Sequence, residues 1–377
     1  MKVLFTTHWY PNENNTSEGQ FIKKHLSAIQ ENDVSVTLLV VRIKAGNSLF
    51  KRSTTVGEEK IEVVISSLFW KFLYLLYPIQ RFFVWSYIHR QLKVKKFDLI
   101  HANVTHPNGV FAHYLSEKLK IPFVITEHHS QIKKYSKLLY TKKSFNAALK
   151  NAAAVTGVSN FLLDNIYSNS TRSKNNKDSV VGNIIDSSVF HFQDIKNDTN
   201  AKTVLCIGNW SPSKGNTKIP ELILKSLKNI SLTKRTQINL EHIGVCSIKQ
   251  ELKKEFETAH LRISFLGNKT PKQINEALNR ADVFAHATRF ETFCVVGVEA
   301  QKAGCPVLIS NIKPLNTILN SYGTVFCENS AEDWERGFLE ILEKEPDRKK
   351  ISSEALSKFN AHSIGLDFIE LYKKVLY

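Results

Sequence analysis

Short apolar runs alternate with amphipathic stretches along this chain, the pattern that builds parallel sheets covered by helices. Lys2 to Thr7 reads as a strand, Gly19 to Gln30 as a helix and Val34 to Val41 as a second strand; a polar loop from Pro11 to Gly19 joins the first two. Leu99 to Ala102 and Phe123 to Thr126 are further strands, each ending in a polar corner that carries histidine. Gln193 to Lys202 is polar and poor in apolar residues, the best domain boundary in the chain. The alternation then restarts with Thr203 to Ile207 and continues through Ile238 to Ile243 and Ile263 to Leu266. The pattern predicts an α/β chain of two doubly wound, Rossmann-like domains, residues 1–192 and 193–377, closed by a helix over 363–376.

The most informative stretch is Ala281 to Ser310. Val283 to Ala287 is a buried strand, Thr288 to Glu291 a polar corner, and Thr292 is placed to cap a helix that runs to about Ala303, where Gly304 and Pro306 end it. Val307 to Ile309 begins the next parallel strand. Glu291 and Glu299 are eight residues apart, about 12 Å along a helix, so one carboxylate stands at its mouth and the other down its side. The helix start, with free N–H groups near Phe293, Cys294 and Val295, is a ready place for a diphosphate. Glu291 is then placed for sugar hydroxyls and Glu299 for a ribose.

Composition and charge add to the picture. The chain of 377 residues, 42% hydrophobic and 23% charged, has the length and balance of two soluble domains. Its five cysteines, all in the second half and without close pairing, read as reduced thiols of a cytosolic protein rather than a disulfide frame or a zinc site. The apolar run after Met1 is too short for a signal peptide core. The net charge of +16 divides as +12 over residues 1–190 and +4 over 191–377, so the first half seeks an anionic partner. No nucleic-acid motif accompanies that charge, and an anionic membrane surface is the expected partner. Residues 66–97 are apolar and aromatic nearly all round with basic flanks; a helix in the membrane interface and a helix buried beside the sheet both fit.

ETFCVVGVEAQKAGCPV, residues 291–307, resembles the E-x7-E motif of retaining family-4 glycosyltransferases with the GT-B fold, with Cys294 where the usual pattern has Gly. VVGNIIDSSVF resembles the family's run into the linker, and GNWSPSKGN its G-R-x4-K-G loop, in which Gly208, Lys214 and Gly215 match and Asn209 replaces Arg. Thr126, Glu127 and His128 resemble its histidine corner, and the first loop, with Gly19, its substrate-touching glycine loop.

The resemblance implies two domains facing across a cleft, the last helix packing back on the first. It also implies a nucleoside-diphosphate sugar donor, and a glycan or lipid-linked acceptor of the surface-polysaccharide kind. Glu291 and His128 are the expected catalytic residues. Gly19, Gly208, Asn209, Lys214, Phe293, Cys294, Val295 and Glu299 are the expected donor-binding residues. No Asp-x-Asp occurs, so no metal and no cofactor are expected. The expected place is the cytoplasm, peripheral on the inner face of the cell membrane. The alternative is a catalytically degenerate GT-B frame that binds an anionic membrane or polyanion.

Overall fold

The computed structural model describes residues 1–13, 15, 18–49, 51–70, 77–195, 200–210, 218–344 and 346–377. They form two compact units, Met1–Ile184 with Ala361–Tyr377, and Ile185–Asn360.

The first unit is built on β1 (Lys2–Thr7), β2 (Ser35–Ala45), β3 (Lys51–Val56), β4 (Lys60–Ser67), β5 (Leu99–Asn103), β6 (Phe123–Glu127), β7 (Ala154–Gly157) and β8 (Ser179–Val180). Their order is β3-β4-β2-β1-β5-β6-β7-β8, and among them only β3 and β4 pair antiparallel. The alternation of apolar runs does not announce β3, because KRSTTV is a mostly exposed edge with no buried face. The helix Gln20–Gln30 follows Gly19, which has φ 65°; a Cβ there would stand 2.4 Å from the carbonyl oxygen of Trp9, so only glycine fits.

Of the stretch 66–97, residues 71–76 lie outside the described ones, and Tyr77–Lys95 is a helix. Val84, Ile88 and Leu92 are buried at a spacing of one helical face, and the helix packs against Val110–Leu119, with Trp85 edge-on to Tyr114. Val94 is exposed, as are Leu68 and Phe69 just before the helix. The described part of this helix therefore has a core face as well as an open one.

The C-terminal helix is Ala361–Leu376 and belongs to the first unit. Gly365 lies so close to the carbonyl oxygen of Ala28 that an added Cβ would come within 2.7 Å of it. Phe368 meets the rings of His25 and His101.

The break between the units falls after Ile184, eight residues before the expected 192. The reason is a buried cation: Lys302 Nζ donates to the Ile185 carbonyl at 3.1 Å and to Ser187 Oγ at 2.9 Å. These bonds tie the start of the linker to the second unit.

The second unit carries β9 (Lys202–Ile207), β10 (Ile238–Ile243), β11 (Leu261–Gly267), β12 (Val283–His286), β13 (Val307–Ser310) and β14 (Thr324–Cys327), in the order β11-β10-β9-β12-β13-β14. All these pairings are parallel. Val204, Leu240, Val283 and Leu308 from four of its strands meet Leu227 and Trp334 in one core. The order runs outward in opposite directions from β9 and β12, so the two strands mark a switch point, where open α/β sheets leave a crevice at their carboxyl ends.

Candidate active site

The stretch after β12 leaves the sheet at that switch point. The amide of Thr288 donates to Ser310 Oγ at 2.9 Å, and its own hydroxyl donates to the Phe290 carbonyl. Ser310 Oγ in turn donates to Asn329. The corner that presents Glu291 is thus pinned to the next strand before the helix begins.

Glu291 does not point into open solvent. Lys218 Nζ forms an ion pair with its Oε1, and His286 Nε2 stands 3.0 Å from the same oxygen. Lys218 Nζ is also 2.9 Å from His286 Nε2, so the ammonium bridges carboxylate and imidazole. Burial pushes the Glu291 carboxyl up, but the His286 hydrogen bond and the charge of Lys218 outweigh it and hold the group at about 2. Burial holds the His286 imidazole below its ordinary value, which keeps it neutral. Lys218 is the residue that sequence reasoning missed. It sits 73 positions before Glu291 and reaches it because residue 218 bridges to Thr288 and the Ile219 amide donates to the Ala287 carbonyl.

The helix after the corner is Val295–Lys302, with Cys294 rather than Thr292 at its N-cap. Cys294 is in the left-handed region, φ 68°, and its side chain makes no capping bond. That backbone conformation accounts for glycine in the resembling motif, because only glycine adopts it without cost. Burial pushes the Cys294 thiol far up. The Phe293 side chain is buried edge-on against Phe359, so it anchors the corner, and only its main chain is left for a ligand. Val295 is half-buried, and its N–H belongs to the first turn, which helix geometry leaves without a helical partner. Glu299 lies on the same helix and is buried.

Gly208, just past β9, has φ 143°, and a Cβ there would lie 3.9 Å from Lys218 Cε. Its carbonyl accepts from His242 Nε2 at 2.9 Å, and a Cβ on Gly244 would come within 2.2 Å of that same oxygen. Asn209 is exposed beside it. Lys214 lies outside the described residues. The second unit thus brings Gly208, Lys218, His286, Glu291 and Cys294 together at one end of β9 and β12, with Glu299 further along the helix.

In the first unit, Glu127 organises the histidine corner. Its carboxylate accepts from the amides of Thr105, His128 and His129 at 3.0, 3.0 and 2.8 Å. His128 packs between the rings of Phe21 and His25, with Nε2 3.4 Å from Asn103 Oδ1. Burial first, then His25 and His101, keeps it well below its ordinary value, so it is a neutral imidazole at physiological pH. Gly19 stands at the start of the helix that carries Phe21 and His25; its structural need there is the close approach to Trp9.

Two family models match the chain in succession. The one described as Glycosyltransferase Family 4 covers residues 22–188, and the one described as Glycosyl transferases group 1 covers 188–358. An uncharacterized glycosyltransferase of Methanocaldococcus jannaschii is 22% identical over 284 residues, 74% of this chain and 76% of that one. Among solved structures, the lipopolysaccharide outer core galactosyltransferase WaaB aligns with a TM-score of 0.73 at 15% identity, over 99% of both chains. Anabaena HepE in complex with UDP-glucose aligns with a TM-score of 0.68 at 15% identity, over 99% of this chain and 100% of that one. At such identities the structural likeness shows the fold, while the sequence models carry the family. With both halves of the motif pattern matched from residue 22 to 358 and two parallel-sheet units in the described structure, this chain belongs to the family-4-type glycosyltransferases of the GT-B fold.

Proposed function

We propose that the chain moves one sugar from a nucleoside-diphosphate sugar to a lipid-linked or growing surface glycan, with retention of anomeric configuration and without a metal. The observation that carries this reading is the helix start at Cys294, which lies between an ionised, part-buried Glu291 and a buried Glu299 at the switch point of the second sheet. A diphosphate is the natural guest of such a helix start. HepE, which holds UDP-glucose on the same fold, supports a nucleotide-sugar donor, and WaaB supports a surface-glycan setting.

In this reading Glu291 accepts from hydroxyls of the transferred sugar and Glu299 from the ribose. Charge building on the leaving diphosphate is met by the first-turn N–H groups and by Lys214, and Gly208 and Asn209 line its approach. Retention follows if the acceptor attacks the face from which the diphosphate departs, the diphosphate taking the acceptor proton. His128, kept neutral, is assigned to a sugar hydroxyl by its motif. Gly19 would bring its loop main chain to the substrate. An anionic membrane suits the first unit, where Val94 is exposed next to Lys93, and Leu139 and Tyr140 are exposed between Lys137 and Lys142 in the chain. Among the described residues no helix is long and apolar enough to cross a membrane.

The test is a thermal-shift panel of UDP, GDP, ADP, CMP and their sugar conjugates on wild type and Glu299→Ala, in buffer with and without a chelator. The reading expects one nucleotide to stabilise the wild type clearly and the variant much less, unaffected by chelation. Should none stabilise it while the folded protein still binds anionic vesicles, a degenerate binding frame replaces the transferase reading.

A further inference from the structure

We propose that His286, Glu291 and Cys294 form a capture site for one thiophilic divalent cation of the zinc class, which competes with Lys218 for the imidazole and the carboxylate. Their donor atoms all lie within 4.8 Å of one another, and among the described residues this is the one group of three such donors. The nitrogen, oxygen and sulfur set is that of zinc, which takes ligands at about 2.0–2.3 Å and tolerates a fourth, open position. All three come from one corner of nine residues, so the chain closes no long loop to assemble them.

The resting contacts already describe a cation site. His286 Nε2 and Glu291 Oε1 are 3.0 Å apart, and the Lys218 ammonium lies against both. The Ile207 backbone hydrogen-bonds the imidazole as well, which orients the ring. The Lys218 ammonium is the cation that carboxylate and imidazole share. A dication can take its place once the buried Cys294 thiol becomes its third ligand. In that exchange the metal–sulfur bond forms, the thiol proton goes to solvent, and Lys218 leaves as an intact ammonium. Lys218 is therefore a built-in competitor that weakens capture.

One consequence rests on the function proposed above: with metal bound, Glu291 no longer reaches a donor sugar, and transfer stops. Metal capture itself does not depend on that function.

The experiment is a cobalt(II) titration of the full chain, read by thiolate-to-cobalt charge-transfer absorption, with zinc displacement as its second step. One equivalent is expected to bind with release of a proton. The band should vanish in Cys294→Ser, and His286→Ala should bind at least about tenfold more weakly, as loss of a ligand or its support does. Lys218→Met and Lys218→Gln should both bind more tightly than wild type, a gain that adventitious cysteine binding does not produce. Absence of the band in wild type and in both Lys218 variants overturns the proposal, and so does a band that survives in Cys294→Ser. The nucleotide panel on the same samples separates the two readings. Cobalt binding with a silent panel sinks only the transferase reading, and nucleotide binding without cobalt sinks only the capture site.

Discussion

Lys218 and Glu291, 73 residues apart, form a part-buried ion pair in which the same ammonium also meets His286. The pair works with the His286 hydrogen bond to keep the motif's first carboxylate ionised against its burial, and loss of Lys218 would leave His286 to do so alone.

Replacing Lys218 by Met should therefore destabilise the second unit by about 3 kcal/mol, the cost of stranding one partner of a buried pair. The double variant Lys218→Met with Glu291→Gln should recover most of that loss. Urea unfolding of the four proteins measures both, and equal stability of the two Lys218 variants would refute the coupling.

Acid should act on this protein in two windows. The Glu291 carboxyl lies at about 2 against 4.5, so its stabilising effect is complete above pH 4.5 and is lost as pH falls toward 2, about 3 kcal/mol in all. Burial lowers His8, His25 and His101 from 6.5 to about 3, 4 and 3. These depressed groups add stability that is complete above pH 6.5 and is lost as pH falls toward 4 and 3. Each should steepen the loss by about 1.4 kcal/mol per pH unit inside that window. Denaturant midpoints from pH 7 to 4 should decline first for the first unit, and His25→Gln should flatten the slope.

Cys294 occupies a left-handed backbone position that glycine takes freely. Cys294→Gly should change stability by less than about 1 kcal/mol, relief of the backbone offsetting the lost thiol packing. Cys294→Val should cost several times more, because a β-branched residue is poorest at φ 68°. Thermal melts of the two variants decide this, and a Val variant as stable as the Gly one would contradict it.

Tyr372 reaches the first unit's buried interior from the chain's last helix. Its hydroxyl lies 2.5 Å from His101 Nδ1, and His101 Nε2 is 2.8 Å from Thr126 Oγ1, which also accepts from Thr156. Tyr372→Phe should leave a buried imidazole nitrogen without its donor and cost about 1–3 kcal/mol. The loss should appear in hydrogen exchange of β5 and β6 and leave β9 and β12 unchanged.

Much of this protein follows from local sequence alone. The strands before His8, His128 and Glu291, and the one that holds His101, are apolar runs of strand length, and burial of a short parallel strand needs nothing more to be legible. Glu291 and Glu299 are tied to one corner and helix by their spacing, and Gly304 and Pro306 mark where that helix ends. The exposed edge strand β3 left no such trace, since no face of it is buried. Tertiary structure decided the remainder. The Lys218 partner of Glu291, the His101 contact of Tyr372 and the Lys302 tie that sets the unit boundary at 184 each join residues far apart in sequence. The left-handed Cys294 came from the way the chain must turn from β12 into its helix. Periodicity records which side of an element is buried, because each turn or pleat repeats the same environment. Which buried side chains then meet depends on strand order and loop path, and those are properties of the assembled sheet.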